Sequence, residues 1–231
     1  MDKKRVRDLE ASYLGRVEEE KKKTNDLLHS VLSKGTVGEI KSASNMGPKR
    51  YDSVAILICD LVGFTPFCEQ NSPETVVEAL QDVFEEFESA IEQTGMEKIK
   101  TVGDAIVATS GILNDNHEPM LAAVECGFLF REKANDMNPS WDVHVGIHYG
   151  PGVAGIVGRQ SLQFDMLGHT LNTAFRICDT TEKKEILISN DACMTVRGKL
   201  KGKSRGILEL KGEVHVELLE CLGLRHQSTP S

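Results

Sequence analysis

Every residue from Val54 to Cys59 is apolar, and the run stops at Asp60. A continuous apolar stretch of this length suits a buried central strand. A carboxylate closing such a strand is costly to bury unless something meets it. The chain therefore needs a sheet with this strand inside it, and a partner for Asp60. At 231 residues it has room for one full domain and an appendage. That is enough to build a core without staples. Hydrophobic residues make up 40% and charged residues 27%, as in ordinary globular proteins.

The elements after the first strand follow from local signals. Ser72-Pro73 is an N-cap followed by proline at the first helical position. Val76, Leu80, Val83, Phe84, Phe87 and Ile91 then share one helical face, and Gly95 stops the helix. Met96–Thr101 and Ala105–Thr109 read as strands joined by the tight turn Val102-Gly103-Asp104. Pro119 opens a second helix reaching about Asn135. Val143, Val145, Ile147 and Tyr149 alternate as a strand; Leu171, Ala174, Phe175 and Cys178 mark a third helix. Ile186–Ser189 is a short strand, and Ile207–Leu222, broken at Lys211-Gly212, is a terminal hairpin. The order is βαββαβ with additions. It predicts an α+β fold, a ferredoxin-like core with a mixed antiparallel sheet, helices on one face and a C-terminal hairpin extension.

Residues 1–34 are densely charged. Tyr13, Val17, Thr24, Leu27 and Val31 fall near heptad spacing, while Glu20 breaks the seam. A solvated helix and a short coiled coil aligning two chains are both open. Residues 35–50 carry Gly, Ser, Asn and Pro and read as a linker. Lys plus Arg is 27 and Asp plus Glu 35, a net charge of −8, which argues against a general nucleic-acid or anionic-membrane binder but leaves a local basic pocket open. No run approaches the ~18 apolar residues of a membrane span, and MDKKRVRDLE lacks the apolar stretch of a secretory signal. The six cysteines form no Cys-x-x-Cys pair, so buried thiols in a reducing, cytoplasmic compartment are expected.

Three segments could carry chemistry. In ICDLVGFTPF, Asp60 ends the strand and the chain turns at Gly63, where the backbone N–H groups of Gly63, Phe64 and Thr65 could face a phosphate. Asp60 could equally cap a helix, or accept a phosphoryl group as in a receiver domain. In EKIKTVGDAIV, Asp104 sits on the hairpin turn. If its strands pair with the first, strands ~4.8 Å apart bring Asp60 and Asp104 to one site, which suits a pair of magnesium ions. Strict alternation puts Met96, Lys98 and Lys100 on one face and Glu97, Ile99 and Thr101 on the other. In QFDMLGHTLNTAFRICD, Asn172 and Arg176 lie together opposite the buried stripe, either as a solvated face or as donors for a phosphate or sugar. Asp165 is flanked by apolar residues. His144 and His148 would be ~13 Å apart on a strand and cannot share a metal. His169 reads as a surface or hydrogen-bonding residue. Gly150, Gly152, Gly155 and Gly158 lack a dinucleotide-binding setting and suggest a mobile loop.

Taken together, ICDLVGFTPF, EKIKTVGDAIVATSGI, VHVGIHYGPGVAGIVG and FDMLGHTLNTAFR resemble the class III nucleotidyl cyclases of adenylyl type, in order and spacing, from about Tyr51 to Leu222. The resemblance implies two metal ions, Mg2+ or Mn2+, on Asp60, Asp104 and the Leu61 carbonyl. It implies an adenine-selecting pair in Lys100 and Asp165, where guanylyl cyclases typically carry Glu and Cys. Asn172 and Arg176 match the transition-state residues. Lys211 takes the place of a phosphate-binding lysine, although the usual Lys-Gly-Lys-Gly is shortened to Lys211-Gly212-Glu213. His169 stands where the family usually has Asp or Asn. The implied activity is conversion of ATP to 3′,5′-cyclic AMP and pyrophosphate in a homodimer with two shared sites. A guanylate cyclase and a weak signalling or dimerisation module are the alternatives. A receiver domain would need parallel βα units, which the hairpin at 102–104 contradicts, and diguanylate cyclases differ in the hairpin motif. The implied organisation is a helical connector and linker at 1–50 behind an upstream sensor or regulatory domain, a catalytic domain at 51–222 and a disordered tail at 223–231.

Overall fold

A computed structural model describes residues 13, 15–23, 48–113, 116–158, 163–210 and 214–225. The chain divides into two units, Met1–Met46 and Gly47–Ser231. In the first, Tyr13 and residues 15–23 are helical and exposed, with Lys23 and Glu19 paired one turn apart at 3.0 Å. Thr24, Leu27 and Val31, on which the heptad reading depends, lie outside the described residues, as do Lys211 and residues 226–231.

The second unit holds β1 (Lys49–Val62), α1 (Phe64–Gln70), α2 (Pro73–Thr94), β2 (Glu97–Val102), β3 (Ala105–Ser110), α3 (Pro119–Asp136), β4 (Asp142–Val157), β5 (Gln163–Leu167), α4 (His169–Thr180), β6 (Ile186–Ser189), α5 (Asn190–Thr195), β7 (Leu200–Leu210) and β8 (Val214–Leu224). The fold is mixed α+β. One sheet runs in the order β2-β3-β1-β4-β6-β8-β7, with β5 paired to β4 off this path. All pairings are antiparallel except β4 with β6. β1 is central, as its apolar run requires, and Val54 to Cys59 are at most 1% exposed. Ser72 Oγ caps α2 by accepting from Thr75 N at 3.3 Å, and Gly95, at φ 68°, closes the helix.

Helices cover both faces of the sheet, not one. Alternate residues of β1 divide between two cores. Ala55, Leu57, Cys59 and Leu61 join α2 and α3, where the Phe87 and Phe130 rings stack at 4.3 Å. Val54, Ile56 and Ile58 join Leu171, Ala174 and Cys178 of α4 together with Phe164 and Met166 of β5. α2 and α3 follow the expected arrangement; α4 closes the opposite face because β1 has apolar side chains there as well.

The glycines at 150, 152 and 155 are not in a loop. They belong to β4, which continues to Val157; Gly158 follows it at φ 105°. Their lack of a side chain admits close neighbours: a Cβ on Gly152 would sit 2.1 Å from Met166 Cε, and one on Gly155 3.0 Å from Pro48 Cα. The terminal hairpin is likewise longer than its apolar pattern suggests, since β7 begins at Leu200.

Candidate active site

Asp60 lies near the end of β1, opposite His144 of β4 in the ladder. The β2–β3 hairpin runs beside β1, with Cys59 opposite Ile106, so its turn delivers Asp104 next to Asp60. Burial raises the pKa of Asp60 above the usual carboxylate range, and the Asp104 carboxylate raises it further; His144 and the Leu61 backbone N–H pull the other way. A buried carboxylate whose ionisation is opposed by a neighbouring carboxylate suits a divalent cation, whose charge removes that cost. Among the described residues no three His, Cys, Asp or Glu side chains converge on one point. A cation held here would therefore complete its shell from backbone carbonyls, water or substrate oxygens.

A cavity of about 390 Å³ opens beside Asp60, walled by His144, Phe175, Cys178 and Asp179 as well as by Val102 and Ala105 of the hairpin. His144 Nδ1 is buried there without a hydrogen-bond partner. The next turn of chain places Gly63 at φ 82°, a left-handed conformation that glycine adopts without strain. Its carbonyl accepts from Phe67 N at 3.2 Å and starts α1. Thr65 is exposed. The Phe64 side chain instead packs toward Trp141, ring centroids 6.1 Å apart, so only its backbone is free to meet a ligand. The Leu61 side chain is 4% exposed in the core under α2 and α3.

Lys100 and Asp165 meet. Lys100 Nζ donates to both carboxylate oxygens, at 2.7 and 2.8 Å, across 65 residues of sequence. Asp165 also accepts from Met166 N at 2.8 Å. The two side chains are 20% and 18% exposed. A cavity of about 490 Å³ adjoins Asp165 and is walled by Val153, Ile156, Val157 and Leu167.

Lys98 does not share this face, contrary to strict alternation. The β2–β3 register slips, with Lys98 opposite Ala108 but Lys100 opposite Val107, which makes Ile99 the extra residue of a β-bulge. Ala108 belongs to the core under α2 and α3, and Val107 to the core under α4. Lys98 accordingly binds Glu88 of α2 at 2.5 Å, while Lys100 turns toward β5.

Asn172 and Arg176 are exposed on α4, four residues apart on its outer side, and among the described residues no ion pair engages Arg176. Leu171, Ala174 and Cys178 face the sheet. His169 is exposed and shares a hydrogen bond of 3.2 Å with Thr173. His148 is separate from Asp60: it bonds Ser189 Oγ at 2.7 Å, and burial depresses its pKa to about 4. His144 and the bulge at Ile99 were not evident as site features, because both depend on register across strands rather than on spacing within one.

The geometry joins two carboxylates to a cavity at one end of β1 and a lysine–carboxylate pair beside β5. Residues 46–221 match the family of adenylate and guanylate cyclase catalytic domains. The nematode Caenorhabditis elegans receptor-type guanylate cyclase gcy-23 is 30% identical over 95% of this chain, which spans 21% of that relative's length. The guanylyl cyclase Cya2 superposes with a TM-score of 0.74 at 25% identity, covering 80% of this chain and 99% of Cya2. The adenylyl cyclase CyaB from P. aeruginosa superposes with a TM-score of 0.71 at 21% identity, covering 78% and 97%. Among the described residues no helix is long and apolar enough to cross a membrane. With the motif residues of β1, the β2–β3 hairpin and α4 all inside the matched span, the chain belongs to the adenylate and guanylate cyclase catalytic domain family.

Proposed function

We propose that the chain is an adenylate cyclase domain that converts ATP to 3′,5′-cyclic AMP and pyrophosphate. The observation that carries the choice of base is the Lys100–Asp165 pair, an ammonium donor beside a carboxylate acceptor. Adenine offers a matching edge, with an acceptor at N1 and a donor at its N6 amino group. Asp60, Asp104 and the Leu61 carbonyl would hold two divalent ions, Mg2+ or Mn2+; when bound, these supply charge neutralisation at the α-phosphate and lower the pKa of the attacking 3′-hydroxyl.

The remaining roles belong to side chains. Arg176 stabilises charge developing on the phosphoryl oxygens, and Asn172 orients the ribose for in-line attack. Gly63, Phe64 and Thr65 offer backbone N–H groups to the phosphates. Lys211, outside the described residues, is the remaining phosphate ligand in this reading. Asn172 and Arg176 stand on the outer side of α4, and among the described residues no ion pair engages the guanidinium, an arrangement that favours presentation to a second copy. The working form is then a homodimer with two shared sites, joined to an upstream sensor or regulatory domain and needing neither nucleic acid nor insertion into a membrane.

The second reading is a guanylate cyclase. It is favoured by the names of the relatives, since gcy-23 and Cya2 are both guanylate cyclases. One experiment separates the two. Initial rates are measured with ATP and with GTP, each with magnesium and with manganese, for the wild type, Asp60→Ala and Asp104→Ala. Cyclic AMP formation that needs the metal and both carboxylates supports the proposal. Exclusive cyclic GTP formation selects the second reading, and undiminished turnover by either folded alanine variant removes the carboxylates from the chemistry.

A further inference from the structure

α4, which presents Asn172 and Arg176, rests on β4 without an intervening side-chain layer at its C-terminal end. A Cβ on Gly146 would lie 2.3 Å from Cys178 N, 2.7 Å from Cys178 Cα and 2.8 Å from Ala174 O. All three are backbone atoms of the helix, so no side-chain rotation relieves the contact. Toward the other end, a Cβ on Gly150 would lie 3.0 Å from Thr170 Oγ1, whose hydroxyl donates to Pro151 O at 2.5 Å. Four residues of strand span about 13 Å, and Thr170 to Cys178 spans about 12 Å along a helix. Strand and helix therefore lie alongside each other with a glycine beneath each end. Cys178 Sγ, donating to His144 O at 3.6 Å, adds a tie beside Gly146.

We infer that Gly146 and Gly150 are positioning residues for nucleotide turnover: they set the height of α4 over the sheet and so the place where Asn172 and Arg176 are presented. This rests on the role given to those two residues under Proposed function. Restoring an ordinary contact of 3.4 Å at Cys178 N requires a shift of about 1 Å. A displacement of that size at reacting groups costs on the order of 100-fold in rate. The Lys100–Asp165 pair lies on β2 and β5, so nucleotide affinity is affected less than turnover.

The test compares the full chain as wild type, Gly146→Ala, Gly150→Ala, Gly127→Ala and Arg176→Ala, assayed well below the melting temperature of each. Gly127 lies on α3, and its Cβ would approach Val145 Cγ1 at 3.3 Å from the opposite face of β4. It therefore loads the same strand without touching α4. Gly146→Ala is expected to lower kcat about 10- to 100-fold with KM changed less than about 3-fold. Gly150→Ala, blocked only by a side chain, should lose about 3- to 10-fold in kcat, and Gly127→Ala should stay within about 2-fold. If Gly146→Ala does not fold, Gly150→Ala decides by the same criterion. Wild-type kcat in the folded glycine variants, with Arg176→Ala inactive, overturns the positioning role alone. Wild-type kcat in Arg176→Ala overturns the assignment of α4 and this inference with it.

Discussion

Replacing the Lys100–Asp165 pair by Glu and Cys tests whether these residues choose the base. In the substrate-free chain the pair makes two charge-assisted hydrogen bonds, 2.7 and 2.8 Å, with about four-fifths of each side chain removed from water. Either single substitution leaves one polar group poorly matched. Lys100→Glu sets a second carboxylate against Asp165, and Asp165→Cys leaves an ammonium without its acceptor. At this depth each mismatch costs about 1–3 kcal/mol, below the full penalty of a completely buried broken pair. The double variant removes both mismatches, so it should melt above Lys100→Glu, a non-additive result that a double-mutant cycle reads directly. In turnover, the same 1–3 kcal/mol corresponds to about 5- to 150-fold in relative kcat/KM for ATP over GTP, measured by competition between the two nucleotides. Glu at 100 can accept from guanine N1 and N2, so the preference should move toward GTP. An unchanged ratio in a folded double variant would show that neither residue reads the base.

The Asp60–Asp104 pair makes a stability prediction. The Asp60 pKa is raised by burial and by Asp104, so the folded chain holds that proton more tightly than the unfolded one. Metal-free stability then falls as pH rises from the ordinary carboxylate value through the raised one, and the penalty persists above it. Asp60→Asn should therefore raise the metal-free melting temperature at neutral pH, abolish turnover and lose the stabilisation by Mg2+ or Mn2+; a lower melting temperature counts against the reading. The shared-site homodimer predicts complementation. Asp104→Ala and Arg176→Ala are each expected to be inactive alone, but random exchange makes about half the dimers mixed, each with one intact site, so activity returns to about a quarter of wild type. Heterodimers isolated with a tagged partner that remain inactive would place both groups on one chain.

The central strand, the capped α2 and the β2–β3 hairpin were legible because each is signalled locally, by an apolar run, by Ser72-Pro73 with Gly95, and by a turn at Gly103. Asp60 and Asp104 were legible as a pair for the same reason: the hairpin order leaves few places for its turn. The second helical layer was not. Leu171, Ala174 and Cys178 show that α4 is amphipathic, but its apolar stripe does not say which face of the sheet it covers. That choice rests on Val54, Ile56 and Ile58 of β1 pointing away from α2. Within an all-apolar strand, sequence cannot divide the residues between two cores. The glycines of β4 suggest a loop by sequence yet lie in a strand for a related reason. Glycine weakens a strand on its own, and what keeps it here is an atom of another element, Cys178 N at Gly146 or Met166 Cε at Gly152.

The bulge at Ile99 carries this point into function. Counting by twos from Lys98 puts both lysines on one face, yet Lys98 binds Glu88 of α2 and Lys100 binds Asp165 of β5. The face of Lys100 is set from the other direction, by the number of residues between it and the turn at Gly103, because Val102 pairs with Ala105 and Lys100 with Val107. Removing one residue between Lys100 and Gly103 would carry the lysine to the α2 side even though its identity is unchanged. The extra residue at Ile99 absorbs the resulting phase on the other side, which returns Glu97 opposite Thr109 and lets its carboxylate accept from Leu113 N at 3.0 Å. In the proposed reading, base preference therefore depends on register as well as on residue type. A lysine at this position in another chain carries the same meaning only if the hairpin turn lies the same distance away.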